Sequence, residues 1–509
     1  GRTYGTSADA DGRFSFDLPD SIGTFKTVML GYCDEIVRIN TESTKYNIIM
    51  KERTETVSDV VVTGYVDKKK ESYTGALSVI KRDQIEKLTH SNVLNIIQLQ
   101  APGFELKDDI QNGSNPNKVP DMVLRGRSSF IEGDQTNVPL FILDGTEVDI
   151  TYIFDMPAED IESISILKDA SATSFYGSKA ANGVIVITTR PTQYGKLQVS
   201  YSGNMQVSVP DLSDYRLLNA ADKLEYERQA GIYGNFTGSS STDIAWQKIY
   251  YEKLDRVNAG VNTDWKRLAL RTGLTHLHNV MLSGGSRDFR YNVSGNINST
   301  LGIMDESGRT SSSLRINITY GSLSKLFIQN IASFSAARSK DVPYGKFSDY
   351  VRLNPYDMPY NADGSLNTEL SFNTANPLYE KQLSSYIHSS SDSFIDTFKL
   401  RWNIVEGFRA EATLSYTLTK SGGETFYSPK SQRFNTTADP KKKGSSDVND
   451  GTSNTLSCNA FLVWNKSWGE TLTQTSSLSL TGGVNVEATK SDTHSFSALG
   501  ILSDKLEHP

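Results

Sequence analysis

Few residues of this chain are spaced for chemistry, and each candidate has to be weighed against the element that would hold it. Ser322-Leu323-Ser324-Lys325 spells the S-x-x-K of a serine nucleophile with a lysine base. That chemistry needs both side chains on one helix face, and these residues fall at a turn between two strand-like runs. His276 and His278 alternate onto one face of a strand, as two metal ligands would, but no third ligand is spaced to join them. Asp9-Ala10-Asp11-Gly12 begins like a calcium loop and lacks the glutamate that should follow downstream. Cys33 and Cys458 lie far apart without metal-type spacing and read as small buried or half-buried residues. The sequence holds no glycine-rich phosphate cradle. It reads as a protein that is not an enzyme and uses no metal or cofactor.

What remains points to binding and mechanics. Val60-Val61-Val62-Thr63 is a short β-prone run between polar and charged flanks, with no partner strand beside it in sequence. It reads as an extended recognition peptide on a tether. The dense basic runs, Lys68-Lys69-Lys70 and Lys441-Lys442-Lys443, sit in polar sequence and read as solvated linkers. The 509 residues carry 52 Lys and Arg against 59 Asp and Glu, a formal charge of −7, with no basic face for nucleic acid. No apolar run approaches the ~20 residues of a transmembrane helix, whereas a membrane β-strand needs only ~9–11 residues of alternating character. The chain opens on Gly, enters a turn almost at once and ends without a closing pattern, which reads as a fragment truncated at both ends.

Four segments must position these residues. Residues 1–52 read as all-β, with Asp11-Gly12 as a hairpin turn. Residues 53–72 are the tether. Residues 73–191 are mixed α/β. There the spacing of Ile85, Val93, Leu94, Ile97 and Leu99 predicts a helix ending at Pro102-Gly103, and "DMVLRGRSSF" and "PLFILDGTEV" read as strands. In "DIESISILKDASATSFYGSKAANGVIVITT", Ile164 and Ile166 share a strand face. Asp169 is placed to N-cap a two-turn helix that Gly177 ends. Val184 to Ile187 is apolar on both faces and should be a covered, central strand. Asp144-Gly145 reads as a structural turn with positive φ at the glycine.

From residue 192 to 509 alternation takes over. Phe408, Ala410, Ala412, Leu414, Tyr416 and Leu418 share one face, and Arg409, Glu411, Thr413, Ser415 and Thr417 share the other. Leu314, Ile316, Ile318 and Tyr320 stand against Arg315, Asn317 and Thr319, and Phe398, Leu400, Trp402 and Ile404 repeat the pattern. Nine such runs are found, near 196–209, 277–284, 288–299, 313–321, 325–338, 391–405, 406–420, 453–468 and 473–487. Tight turns such as 284–287 and 405–407 alternate with long polar connections such as 339–390 and 421–452. Sandwich strands run ~5–6 residues. These are mostly twice that, which predicts an outer-membrane β-barrel with aromatic girdles at Trp402, Phe408, Trp464 and Trp468.

These residues carry a family resemblance. "LDGTEVDI" and "MPAEDIESISILKDASATSFYGSKAANGVIVITTR" resemble the plug of SusC-like (SusC/RagA) TonB-dependent outer-membrane transporters of the Bacteroidetes, as do "SDVVVTGYVDKKKESYTGALSVI" and "DMVLRGRSSF". Residues 262–298 resemble early strands of the family's barrel, and 1–52 resemble its carboxypeptidase-regulatory-like domain. The resemblance implies an N-terminal β-sandwich remnant (1–52), a linker bearing a TonB box (53–72), an α/β plug (73–191) and an incomplete antiparallel transmembrane barrel (192–509). It implies Asp59, Val60, Val61, Val62, Thr63, Gly64 and Tyr65 as the box that pairs with a TonB-type energy-transducing protein. It marks Arg125, Gly126, Asp144, Gly145, Lys168, Asp169, Ala170, Tyr176, Gly177, Ala181, Asn182 and Gly183 as plug signature, with Arg125 and Arg127 facing carboxylates of the inner wall. A SusD-like surface lipoprotein would serve as lid, and the substrates would be oligosaccharides or peptides. Loop residues Tyr344, Tyr356, Tyr360 and Tyr379 are placed to stack on sugars or to pack the loops. A single-component receptor for an iron chelate or vitamin is the alternative within the class.

Overall fold

A computed structural model describes residues 77–504 except 89–91, 108–114, 125–137, 169–173, 235–240 and 472–473, together with short pieces before residue 77. Residues 1–61 and 68–73 form a compact unit of their own. In it the Asp9 carboxylate accepts the Arg13 amide at 2.8 Å and Gly12 takes φ 81°, so the expected turn forms. Strands β1 (Thr24–Thr27) and β2 (Glu35–Arg38) pair antiparallel, and Phe25 packs edge-on against Phe14 and Tyr46. Val60–Val62 is strand β3, and it pairs with β4 (Asp67–Lys69). That corrects two expectations: the recognition run does have a neighbouring partner, and Lys68 and Lys69 lie in a strand rather than a free linker. The β-branched valines suit an extended, paired run.

The α/β segment folds around a five-stranded sheet. Its elements in chain order are β5 (Leu77–Lys81), α1 (Arg82–Glu86), α2 (Val93–Gln100), β6 (Phe104–Leu106), β7 (Met122–Leu124), β8 (Leu140–Leu143), β9 (Thr146–Glu147), α3 (Ile150–Phe154), β10 (Ile161–Leu167) and β11 (Val184–Thr189). The sheet order is β5-β10-β11-β8-β9. β11 is central, parallel to β8 and antiparallel to β10, and Val184 to Ile187 are wholly buried, as their two-faced apolarity predicted. Ile164 and Ile166 join the same core with Ile85, Val93, Leu94, Ile96 and Ile97.

The predicted single helix is two. The Asn92 side chain accepts the Leu94 amide and restarts the helix at Val93. The new phase turns Ile96 inward and leaves Leu99 64% exposed. Of the predicted two-turn helix capped by Asp169, only the end lies among the described residues. Asp169 lies outside the described residues, and Ser174–Ala180 is a 3₁₀ segment kinked at Gly177, whose φ of 61° falls within the segment rather than at its end.

The remaining chain builds a nine-stranded antiparallel sheet: β12 (Gly195–Ser208), β13 (Gly273–Gly285), β14 (Phe289–Leu301), β15 (Gly308–Gly321), β16 (Leu326–Asp341), then, beyond a small β17 (Glu369–Leu370) and β18 (Thr374–Ala375) hairpin, β19 (Tyr386–Val405), β20 (Phe408–Tyr427), β21 (Ser445–Thr471) and β22 (Gln474–Leu499). All nine predicted runs are strands, and most run further than the alternation suggested. The long connections shrink accordingly to 342–385 and 428–444. At one end of the sheet the connections are two to four residues; at the other lie 209–272, 342–385 and 428–444. The first of these holds helices α4 (Ala220–Gln229), α5 (Ser241–Asn258) and α6 (Trp265–Leu268); the second holds α7 (Phe347–Val351) and α8 (Pro377–Lys381). Among the described residues no helix is long and apolar enough to cross a membrane.

The sheet is inside-out for a protein in water. Leu314, Ile316, Ile318 and Tyr320 are exposed, while Arg315, Asn317 and Thr319 between them are buried. β19 repeats this with exposed Phe394, Phe398, Trp402 and Ile404 and buried Thr397. β20 does so with exposed Leu414 and Tyr416 against buried Glu411 and Ser415. An outward apolar band and an inward polar face are what a lipid-embedded strand requires. The inward face packs on the α/β segment, which is the plug.

Candidate functional site

Plug and wall meet through polar groups. The plug's outer hairpin, β8–β9, turns at Asp144-Gly145 with φ 49° and 84°, a mirror-image turn that favours Asp-Gly. The glycine prediction holds, and Asp144 does more than turn the chain. Its carboxylate accepts the Thr189 amide at 3.0 Å and the Thr189 hydroxyl at 2.7 Å, which fix it in the plug. It also accepts Nη1 of Arg315 on β15 at 3.2 Å, and Nη2 of the same guanidinium reaches the Tyr152 hydroxyl at 3.3 Å. Beside them, Asp160 accepts from Ser294 of β14 at 3.0 Å and from Asn279 of β13 at 3.4 Å. Burial pushes the Asp160 carboxyl up from its usual range, against the pull of Arg315 and these hydrogen bonds. The Thr146 hydroxyl meets that of Thr397 at 2.9 Å. Further along, Arg309 grips Asp155 with two bonds of 2.7 and 2.6 Å, and Lys179 bridges Glu147 of the plug to Glu487 of β22.

This latch divides two cavities. One, about 1090 Å³, lies toward the long connections between the plug and β15–β22. Its plug side includes Phe141, Tyr152, Lys179 and Asn182; its wall side is a carpet of small hydroxyls, such as Ser313, Ser391, Ser393, Thr419, Ser453 and Thr455. The second, about 320 Å³, lies toward the tight turns and is lined by Asp144, Thr189, Arg290, Thr319, Lys399 and Glu411. Arg315 lines the first cavity and its partner Asp144 the second, so the ion pair stands at the division.

The predicted site residues distribute as follows. Among the box residues, Val60, Val61 and Val62 form β3, and Asp59, Thr63, Gly64 and Tyr65 lie outside the described residues. So do Arg125, Gly126, Arg127, Asp169 and Ala170. The buried ion pair that is visible has the opposite polarity to the one predicted for Arg125 and Arg127, with the arginine on the wall and the carboxylates on the plug. Lys168 is half-buried and its ammonium bonds the Pro102 carbonyl. Tyr176 is buried, Ala181 is exposed, and Asn182 donates to the Val138 carbonyl at 3.4 Å. Gly183 takes φ 89°, and a Cβ there would stand 2.6 Å from Leu124, so the signature needs glycine at this point.

His276 and His278 share a face of β13 opposite Asn279, and no group of three metal-type ligands occurs among the described residues. Ser322 and Lys325 sit in the β15–β16 turn, as expected. Cys458 is half-buried; Cys33 lies outside the described residues.

Sequence reasoning missed a buried charged cluster in the long connections. Glu227 of α4 bonds the hydroxyls of Tyr233 and Tyr356, and Lys253 of α5 donates to the same two hydroxyls at 3.0 and 3.2 Å. Burial pulls the Lys253 ammonium down to about 8. The Phe372 ring lies 3.8 Å over this ammonium. Tyr356 is thus loop packing, Tyr344 packs separately with Phe347 and Tyr350, and Tyr360 is exposed. The helical periodicity of 220–258 was the signal available.

Plug and inward polar wall have the architecture of a TonB-dependent receptor. Residues 69–184 match the TonB-dependent receptor plug domain. Within that class the chain is similar to SusC and its relatives. It is 31% identical over 318 residues to the TonB-dependent receptor SusC of Bacteroides thetaiotaomicron, spanning 60% of this chain and 28% of that one. It is 26% identical over 510 residues to the TonB-dependent receptor P3 of Formosa agariphila, spanning 97% and 46%. The chain therefore spans less than half the length of these curated relatives, which are named as receptors rather than enzymes. In fold it is similar to a chain of the RagAB peptide importer in its open-open state, with a TM-score of 0.67 at 20% identity, covering 88% of this chain and 51% of that one.

Proposed function

We propose that the protein to which this chain belongs imports an oligosaccharide across an outer membrane, driven by a TonB-type partner. The observation that carries the reading is the hydroxyl-lined cavity held between plug and wall on the long-connection side. Small neutral hydroxyls exchange hydrogen bonds with a polyol without trapping it, and the latch beyond them blocks the way on. The segment Asp59 to Tyr65 is the box. Its valines favour an extended backbone that the partner captures as an added strand. The β3–β4 pairing is then an internal cover that the partner must displace. Arg125, Gly126, Lys168, Asp169, Ala170, Tyr176, Gly177, Ala181, Asn182 and Gly183 keep the plug shaped for this motion. A SusD-like lipoprotein caps the long connections. Peptides are the second reading, favoured by the fold neighbour that is a peptide importer.

The test is copurification from outer membranes of the intact parent protein, with mass spectrometry of all that comes with it. A stoichiometric lipoprotein with bound oligosaccharide is the expected result, and bound peptide moves the substrate to the second reading. Recovery alone, or with an iron chelate, overturns both. Deleting 59–65 should abolish uptake without loss from the membrane.

A further inference from the structure

We propose that Arg82 is a positioning residue that carries a pull on the first plug strand to the latch on the wall. The proposal rests on the import reading above for its purpose, and on the following geometry for its substance.

Among the described residues β5 is an edge strand, hydrogen-bonded to β10 alone. Its register runs from Leu77 opposite Leu167 to Lys81 opposite Ser163. A pull arriving through the preceding chain loads this ladder first at the Leu77 end. The next residue is Arg82, where the peel meets a different kind of contact. Nη1 of Arg82 donates to three carbonyls of one short segment: Ala158 at 3.0 Å, Glu159 at 3.2 Å and Ile161 at 2.8 Å. These carbonyls bracket Asp160, whose carboxylate meets Ser294, Asn279 and the field of Arg315 on the wall.

Arg82 therefore joins the strand that is pulled to the residue that is latched, across 78 positions of sequence that need not unfold first. Charge-assisted bonds from one guanidinium to three carbonyls are stronger than a neutral ladder pair. The internal bond from Nε to Glu86 at 2.8 Å stays within α1 and moves with it. Inside the plug the 158–161 segment is held by the Asp160 amide on the Pro157 carbonyl at 3.2 Å, by the Arg190 amide on the Asp160 carbonyl at 2.9 Å, by the pairing of Ile161 with Thr189, and by the burial of Ala158 and Ile161 in the core, so the drag must shift this corner of the plug as well. When β5 leaves, Arg82 drags Asp160 off Ser294 and Asn279. Arg315 then loses one of its two carboxylate neighbours, and the division between the cavities weakens. Methionine keeps the stem of Arg82 and none of its donors, so Arg82→Met removes the grip with little change of packing.

The experiment is a single-molecule pull on the intact parent protein in a bilayer, gripped ahead of residue 60, with fluorophores at Ser178→Cys on the plug and Ser389→Cys on the wall after replacement of the native cysteines. In the wild-type background the rupture of β5 and the separation of the fluorophores occur in one step. In Arg82→Ala, and in Arg82→Met should the alanine variant fail to assemble, coincident events fall about tenfold or more. Equal coincidence in wild type and variants overturns the proposal, as does a wild-type β5 that peels while the fluorophores stay together. Uptake that survives deletion of 59–65 would sink the import reading alone and leave the pulling result standing.

Discussion

The plug and the wall use opposite rules in one chain. In the plug, β10 and β11 bury isoleucine and valine as a continuous apolar core, with Ser165 and Thr189 buried among them. In the wall, β15 buries Arg315, Asn317 and Thr319 and exposes Leu314, Ile316 and Ile318. The plug is stabilised by removing apolar surface from water, and the wall by backbone pairing in a medium that accepts apolar side chains. The difference teaches where the molecule can move. Two polar surfaces meet at the plug–wall boundary, held by directional contacts that release on small displacements. The wall's ladder does not have to break for the boundary to open.

The largest test of this comparison is Arg315→Ala. It leaves Asp144 and Asp160 buried without their cation and should cost about 3–5 kcal/mol at the boundary. Chemical denaturation following plug release should show it; a cost near zero would mean that the latch is ornamental. Next is a matched pair, Ile185→Ala in the plug and Ile316→Ala on the wall. The first should lose about 2–5 kcal/mol through a cavity. The second should lose far less in a bilayer, because lipid fills the space. Equal losses would break the inside-out assignment. Ile316→Arg sharpens it from the other side, with an expected insertion penalty of about 2–4 kcal/mol near the membrane midplane, read by folding into vesicles.

A smaller effect is expected in the long connections, where Lys253 lies buried among Glu227, Tyr233, Tyr356 and Phe372, with Asp357, Arg256 and Lys223 nearby. Its folded-state pKa, about 8, is below the ordinary 10.5. Below pH 8 both folded and unfolded states hold the proton and the penalty is fully present. Between about 8 and 10 the unfolded state binds more protons, so local stability rises with pH. The Tyr233 and Tyr356 hydroxyls, both raised by burial, oppose this above 10. Denaturation read from Trp246 fluorescence should show the rise, and Lys253→Met should remove it. Smallest is Arg338→Ala, which breaks an exposed pair with Asp392. It should cost about 0.2–1 kcal/mol and vanish in high salt.

Much of this architecture was legible in residue order. Alternation named all nine wall strands because a strand between lipid and a polar interior repeats every two residues wherever it lies. Apolarity on both faces placed β11 at the centre of the plug, and Asp144-Gly145 announced its turn. Local signals failed where neighbours chose between options: the break at Asn92, the kink at Gly177, and the β3–β4 pairing. The helices of the long connections went unread beside the dominant strand pattern.

The candidate site divides in the same way. By itself the sequence determined that Arg315, Asn317 and Thr319 face inward and that Asp144 sits on a turn, because pleat and turn geometry follow from a few adjacent residues. Only the tertiary structure decided that Arg315 meets Asp144 and stands near Asp160, and that Arg82 grips the carbonyls around Asp160. Those partners lie 171, 76, 77 and 79 residues apart in the hydrogen-bonded cases. Local preference carries no information over such separations. They are brought together by how the plug seats against the wall, an arrangement fixed by packing and long-range pairing over the whole unit.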